Sequence, residues 1–548
     1  MPVFQRSLLI SLGGLLALNF AWPRSVLPSI LVTPFLMGLF TVAALALAFR
    51  PSLPRLPGLW VLVVLLAVAL GPDPESLALI GLAAAGVCAW ITVALGKQFE
   101  GNARLLSCFM WALVAGMLLN VVVAWMQYFD VERMFYPLVS QNDSDRPYGS
   151  LRQANHLATF SVIGLLAVWW LSRQRALSAR KVTTLALIAL SGVALSASRT
   201  GMLELIVLSC FFLIWRDRDN PLEFRLFTLA PIWTYVFIEL LQALTALLGS
   251  DLDGIRGRDM ASVSIRFFYW QEAWALATLH PVAGVGWGNL GAARFFELPF
   301  NAESHNTTNA HNLVLHLLAE TGFATTFLAL APIAWLLWRR PPWRTTNSGA
   351  RWAWMVIAVV GLHSMLEYPV WYMNFLIPTA FAFGVLLAAQ PVTAQPGPSL
   401  PRALTGLMGA VLLFASAWAY FDYMRVASVF KEDGRASADL SEVASIQNTF
   451  LYRYYADRAL VERVALTELN SVEMLKVTDR MLKEGPNPLV LWVRLEALCR
   501  TGDTLRAKET AALFKSVFPV SHAEFMEINS PSVLRVCGLS SAKVPKQP

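Results

Sequence analysis

The chain has 548 residues, of which 56% are hydrophobic and only 14% charged, with a formal charge of +7 and a mean hydropathy of +0.53. A soluble chain of this length carries nearer a quarter charged residues, so composition excludes a soluble globular protein. The positive balance does not imply nucleic acid, because Lys and Arg gather in short loops between apolar runs.

Those runs have the length that spans a bilayer as helix, about 17–25 residues. In chain order they fall at 7–22, 28–49, 57–71, 76–96, 105–128, 155–172, 182–197, 200–215, 226–249, 311–338, 352–371, 373–389 and 403–421. They predict an all-α polytopic membrane helical bundle of about thirteen transmembrane helices. The first run is read as a span, because Leu8–Trp22 lacks a small-residue cleavage site.

Alternate loops are basic: Arg50/Arg55, Lys97/Arg104, Arg173 to Lys181, Arg216 to Arg225, and Arg339 to Arg351. The positive-inside rule assigns them to the cytoplasm, with the N-terminus inside and the C-terminus outside. Left outside are the 129–154 loop, the Ser198–Gly201 turn, the 250–310 loop, the Glu367–Pro369 turn and everything after about residue 422. Most of the unusual polar motifs lie there, so the expected chemistry faces a compartment without nucleotide sugars or ATP.

Residues 1–421 are therefore read as a transmembrane catalytic domain, and 422–548 as a periplasmic helical domain. Pro391–Pro401 is a linker before the last span. In Asn487–Pro519 the apolar residues Leu491, Leu495, Leu498, Ala507, Ala511 and Phe514 recur at helical spacing around Gly502. This pattern fits either one tetratricopeptide-like unit or a plain helical bundle. The five cysteines show no metal-ligand spacing. Cys499 and Cys537 fall in the outer part, where oxidation is favoured, and their pairing stays open.

In Ala197-Ser-Arg-Thr-Gly201, Arg199 stands between two apolar helices on the outer side. An arginine that merely snorkels as an anchor is expected on the cytoplasmic side. Arg199 is read instead as a guanidinium holding a diphosphate through paired donors. Arg266, Trp270 and Trp274 recur every fourth residue and share a helical face. Arg266 either stacks on a ring or is a second phosphate ligand. The second reading is preferred, with Trp270 lining lipid or sugar and Arg258 a poorer third ligand.

The segment Tyr148-Gly-Ser-Leu-Arg-Gln-Ala-Asn-His156 opens the sixth span. Asn155 could cap that helix, yet Arg152, Gln153 and Asn155 together exceed what capping needs and are assigned to glycan or phosphate. His280 to Asn289 looks like a phosphate-cradling glycine loop, but no preceding strand supports a dinucleotide site. It is read as a tight turn that brings the backbone close to another part of the chain.

His305, His311 and His316 are not spaced as zinc ligands on a helix. His311, at the mouth of its span, suits proton abstraction, and His316 suits a hydrogen-bonded core position. Asp-x-Asp strings at Asp143, Asp217 and Asp251 lie in polar loops and give little support for a metal. Pro369 breaks the eleventh span, beside Tyr368 and Tyr372, which offer hydroxyls or a sugar-stacking face.

Taken together, S-R-T-G at 198–201, I-R-x-x-x-W from 265, H-P-x-x-G-x-G-x-G-N at 280–289 and H-N-x-x-L…E-x-G from His311 to Gly322 resemble the O-antigen ligase/polymerase superfamily. R-Q-A-N-H at 152–156, H-S-x-x-E-Y-P at 363–369 and the helical extension look most like its bacterial protein O-oligosaccharyltransferases. The resemblance extends from about 148 to 389.

It implies a GT-C-type glycosyltransferase of the bacterial inner membrane, independent of metal and cofactor. That enzyme moves a glycan en bloc from undecaprenyl diphosphate to Ser or Thr of a periplasmic acceptor such as pilin. Carried over by motif, the catalytic histidine falls on His311, the diphosphate arginines on Arg199 and Arg266, and the remaining motif residues on Gln153 and Tyr368. An O-antigen ligase acting on lipid A core is the second reading. An O-antigen polymerase and a transporter are further rivals.

Overall fold

The computed structural model describes residues 3–22, 26–136, 139, 141–142, 144, 146–215, 221–248, 261–298, 307–388, 399–431, 434–528 and 536–539. The helices of the apolar part are α1 (Val3–Phe20), α2 (Val32–Phe49), α3 (Arg55–Ala69), α4 (Ser76–Glu100), α5 (Ala103–Tyr128), α6 (Ala154–Arg173), α7 (Ala179–Leu195), α8 (Arg199–Trp215), α9 (Pro221–Thr228) and α10 (Ala230–Leu248). They continue as α11 (Ala261–Leu279), α12 (Leu290–Glu297), α13 (Leu313–Arg339), α14 (Ser348–Ser364), α15 (Met373–Ala388) and α16 (Arg402–Ala427). The charged C-terminal part holds α17 (Leu440–Ser445), α18 (Arg453–Arg463), α19 (Ser471–Lys483), α20 (Pro488–Thr501), α21 (Thr504–Val517) and α22 (Pro519–Ile528).

The chain is an all-α, multi-pass membrane protein. Among the described residues seven helices are long and apolar enough to cross a bilayer, namely α2, α4, α5, α6, α10, α13 and α16. Each expected span falls on a helix, but three boundaries differ for identifiable reasons. The run at 226–249 divides into α9 and α10 where Ser209 Oγ donates to Thr228 O at 2.8 Å. The run at 352–371 stops at Ser364, and a short 3-10 turn begins at Pro369, which supplies no N–H and disfavours helix in the residue before it. Helix α13 is kinked at Gly322 (φ 72°), where Phe323 N bonds Pro281 O at 2.9 Å.

Helix α6 lies at the centre, its apolar window fully buried, among α5, α7, α8 and α14. Helix α15 packs most extensively on α4. A Cβ on Gly96 would stand 2.2 Å from Phe381 O, and one on Gly384 2.1 Å from Val93 O. Paired small residues of this kind let backbones touch where no hydrophobic drive separates lipid from protein.

The C-terminal helices carry their own apolar core, built on Val477, Leu491, Leu495, Leu498, Phe514 and Phe525. The two helices expected around Gly502 are α20 and α21, with Gly502 in the left-handed conformation that ends a helix (φ 74°). Cys499 and Cys537 form a disulfide within this core.

Candidate active site

His311 precedes α13 with a left-handed backbone (φ 50°), which is uncommon outside glycine. Neighbouring amides hold that conformation. Asn309 Oδ1 accepts His311 N at 2.8 Å, and Asn312 Oδ1 caps the helix through Leu315 N at 3.1 Å. Asn312 Nδ2 also donates to Met365 O at 3.1 Å, which ties the start of α13 to the turn after α14.

That turn delivers Glu367. Its Oε2 lies 2.6 Å from His311 Nδ1, while its Oε1 is ion-paired with Arg266. Asn155 Nδ2 donates to the same Oε1 at 3.4 Å. Burial raises the Glu367 pKa, but the His311 hydrogen bond and the charges of His311 and Arg266 outweigh it and hold the carboxyl down at about 2. With this carboxylate as the acceptor, Nδ1 is the donating nitrogen of the imidazole.

Aromatic rings fix the imidazole plane. Tyr269 stacks on it at 5.5 Å, and Tyr368 meets it edge-on at 5.1 Å. Burial and the Glu367 charge raise the Tyr368 pKa, so its hydroxyl remains a donor. Behind Tyr269, Arg294 bridges Glu272 Oε2 and Thr307 O, each at 2.6 Å. This fixes the approach to Asn309 and His311.

Asn155 is a hub rather than a cap. Gln153 occupies the cap position of α6 without a side-chain cap bond. Asn155 Oδ1 accepts Ser198 Oγ at 2.8 Å and Arg146 Nη2 at 3.4 Å. Ser198 Oγ in turn accepts Gly201 N at 3.1 Å, so the turn bearing Arg199 docks on the residue that contacts Glu367. The structure thereby brings His311, Arg266, Asn155 and Tyr368 together and joins the Arg199 turn to them.

Other expected residues are differently placed. Tyr372 stacks on Tyr368 at 6.0 Å and meets the His156 ring edge-on at 4.3 Å. Arg152 is left-handed (φ 61°) directly before Gln153. Gln153 Oε1 and Trp270 Nε1 are buried polar atoms without a partner among the described residues. Trp274 is half-exposed and packs edge-on against Phe323. Arg258, His305 and the acidic positions 143, 217 and 251 lie outside the described residues.

The glycine turn cradles a carboxylate of the chain itself. Glu320 accepts Gly288 N at 3.0 Å and Leu290 N at 3.1 Å, and a Cβ on Gly286 would stand 1.9 Å from Pro72 O. Glu320 Oε2 also lies 3.3 Å from His316 Nε2, with the His316 ring against Trp287 and Trp371.

Sequence reasoning gave Glu367, Arg146 and Tyr269 no role. A usable signal existed for two of them: Glu367 follows His363 by one helical turn, and Tyr269 shares a face with Arg266 three residues earlier. Beneath them lies a buried cluster in which Thr159 Oγ1 contacts Glu204 Oε1 at 2.6 Å and His363 Nδ1 at 2.7 Å.

The family described as protein glycosylation ligase matches residues 147–171, O-antigen ligase matches 184–330, and the C-terminal part of virulence factor membrane-bound polymerase matches 351–532. A general O-oligosaccharyltransferase of Acinetobacter baylyi is 27% identical over 360 residues, covering 62% of this chain and 61% of that protein. A ComP-specific O-oligosaccharyltransferase of the same species is 22% identical, covering 53% of each chain. The chain thus spans between half and two thirds of the length of these relatives, and no solved structure matches it. Three family models thus match in order along the chain, which is similar over these segments to O-antigen ligases and protein glycosylation ligases.

Proposed function

We propose that the protein is an inner-membrane glycosyltransferase that moves an oligosaccharide en bloc from undecaprenyl diphosphate to Ser or Thr of a periplasmic acceptor protein. The observation that carries this reading is Glu367, a single buried carboxylate joined to His311 on one oxygen and Arg266 on the other. It couples a base to a cation, the two groups that a transfer from a diphosphate donor needs.

In this reading the hydroxyl of the acceptor loses its proton to His311 Nε2 as its oxygen attacks the anomeric carbon. The carbon–oxygen bond to the diphosphate breaks as the new one forms, from the opposite face, so the anomeric centre inverts. Arg199 and Arg266, with Arg258 as a third ligand, hold the departing charge in place of a divalent ion. Glu367 keeps Nδ1 protonated and stabilises the imidazolium, while Arg152, Gln153, Asn155, Trp270, Tyr368 and Tyr372 serve the glycan, the lipid or the acceptor. The site faces the periplasm, the N-terminus is cytoplasmic, and 422–548 is the periplasmic domain.

The test supplies purified protein with undecaprenyl-diphosphate glycan and, separately, a pilin-like protein and lipid A core. A mass gain on the protein supports the reading. Glycan on core lipid alone replaces it with an O-antigen ligase, the second reading that the match at 184–330 favours. Longer lipid-linked glycan without either acceptor indicates a polymerase.

A further inference from the structure

Helix α16, long and apolar enough to cross a bilayer, runs between two fixed marks. At one end Thr405 Oγ1 donates to Pro51 O at 2.6 Å, in the connection between α2 and α3. At the other, the Tyr423 hydroxyl accepts Ser29 N at 2.8 Å and donates to Val26 O, in the connection between α1 and α2. The rise from Thr405 to Tyr423 is about 27 Å, close to the ~30 Å of a hydrocarbon core. Residues 419–423 therefore mark where this helix leaves the lipid.

Its lipid-facing side is a stripe of exposed apolar residues at helical spacing, Leu407, Val411, Phe414, Trp418 and Phe421. One turn further the same stripe ends in Arg425. The Arg425 guanidinium donates to Ser445 O at 3.3 Å and to Asn448 Oδ1. The turn that follows α17 thus lies directly above the stripe, on the side of α16 that faces lipid.

Two further bonds set the height of that turn. Thr449 Oγ1 donates to Asp422 Oδ2 at 2.7 Å, and Tyr452 Oη donates to Ala419 O at 3.1 Å. Leu451 and Tyr452 pack into the core. Phe450 turns away from it, 73% exposed, level with Phe421 at 72%. A bare phenyl ring is unfavourable in water. The boundary between headgroups and acyl chains is where such rings insert, and exposed Trp418 and Tyr420 already form an aromatic belt there on α16. The polar groups around the ring are bound to one another, Arg425 to Asp422 at 2.7 Å and to Asn448, and Thr449 to Asp422. They offer a folded partner little to pair with, whereas a lipid boundary needs only the ring.

We infer that the turn at 446–450 is a membrane-contact surface, whose Phe450 inserts among the lipids around the C-terminal end of α16. Tyr452 opens α18, which packs on α19, and α19 packs on α12. The C-terminal helices are thereby held by the bilayer at one end of this series and by α12 at the other.

The test places the photoreactive p-benzoylphenylalanine at position 450 of the full chain in nanodiscs of phosphatidylethanolamine and phosphatidylglycerol. The same probe at Phe421 reports the lipid-facing stripe. At Val520 it reports an equally exposed position on α22, which packs on α20 and α21. After illumination, mass spectrometry is expected to find one phospholipid added at 450 and at 421, and none at 520. A lipid adduct at 421 without one at 450 overturns the inference, as does equal lipid capture at 450 and 520. A covalent dimer through 450 in place of the lipid adduct gives the ring to a second copy. A crosslink to an added pilin-like protein gives it to an acceptor, and either result overturns the membrane contact. The readout involves no glycan transfer, so its outcome is independent of the proposed function.

Discussion

Glu367 Oε2 stands 2.6 Å from His311 Nδ1 in the turn between α14 and α15, although 56 residues separate the two in sequence. The contact joins the mouths of two helices, and the same carboxylate holds Arg266 on α11. One buried group therefore sets the tautomer of the proposed base and the seat of a proposed phosphate ligand.

Replacing the base removes the proton acceptor without emptying a core. His311→Ala is expected to lower the initial rate of glycan transfer by about 10²–10⁴-fold, and also to lower Tm, because the buried Glu367 loses a hydrogen-bond partner. A variant as active as the parent would withdraw the base from His311.

Glu367→Gln keeps the shape but removes the charge. Its effect on stability has a defined pH window, because the folded pKa of about 2 lies below the ordinary 4.5. The stability contributed by the carboxylate is complete above about pH 4.5 and is lost as pH falls toward 2. The difference in Tm between parent and Glu367→Gln is expected to be constant from neutral pH down to about 5 and to shrink below that. A difference that grows on acidification would contradict the assignment.

Arginine at 199 and 266 is proposed to recognise planar oxygens with paired donors, which lysine cannot reproduce. Arg199→Lys and Arg266→Lys are each expected to lower kcat more than they raise the KM for the lipid donor. Transfer by the parent enzyme is expected to persist in EDTA. Recovery of lost activity by added magnesium would replace the arginine-only account.

The disulfide closes 38 residues between Cys499 and Cys537. In a chain-entropy account such a crosslink contributes about 4 kcal/mol. Of the five cysteines, Cys88, Cys108 and Cys210 are free. Thiol titration of denatured protein is therefore expected to find three groups without reductant and five with it. Protease is expected to cut α20–α22 faster in Cys537→Ser.

Glu320→Ala leaves the Gly288 and Leu290 amides without their acceptor. Each buried donor so exposed costs about 1–3 kcal/mol. The variant is expected to lower Tm and to reduce transfer through the displacement of α12, a loss that Glu320→Gln partly restores.

Much of the fold was legible because hydropathy reports helices one at a time. Every expected span from 7–22 to 403–421 lies on a helix, and the break at Pro369 follows from the missing N–H of proline. The kink at Gly322 was not legible, since nothing local shows that Pro281 O will accept Phe323 N. The site divides in the same way. His311, Arg199, Arg266 and Asn155 stood out as polar groups at apolar boundaries. Glu367 did not, because its meaning comes from His311 and Arg266, contacts that only packing creates. The stacking of Tyr372 was hidden for the same reason: it depends on Tyr368 and on His156 from another helix.

The crossing of Gly96 and Gly384 acts as a depth gauge. Sliding α4 along α15 by a helical turn would bring Thr92 or Glu100 to a point where even a methyl group meets carbonyl oxygen. Helix α15 begins directly after Tyr372, and α4 begins directly after Glu75. The aromatic turn beside His311 and the loop at Asp73 therefore keep a constant height relative to each other. Bilayers of different thickness can tilt or stretch the outer helices, but the gap between these two landmarks stays the same.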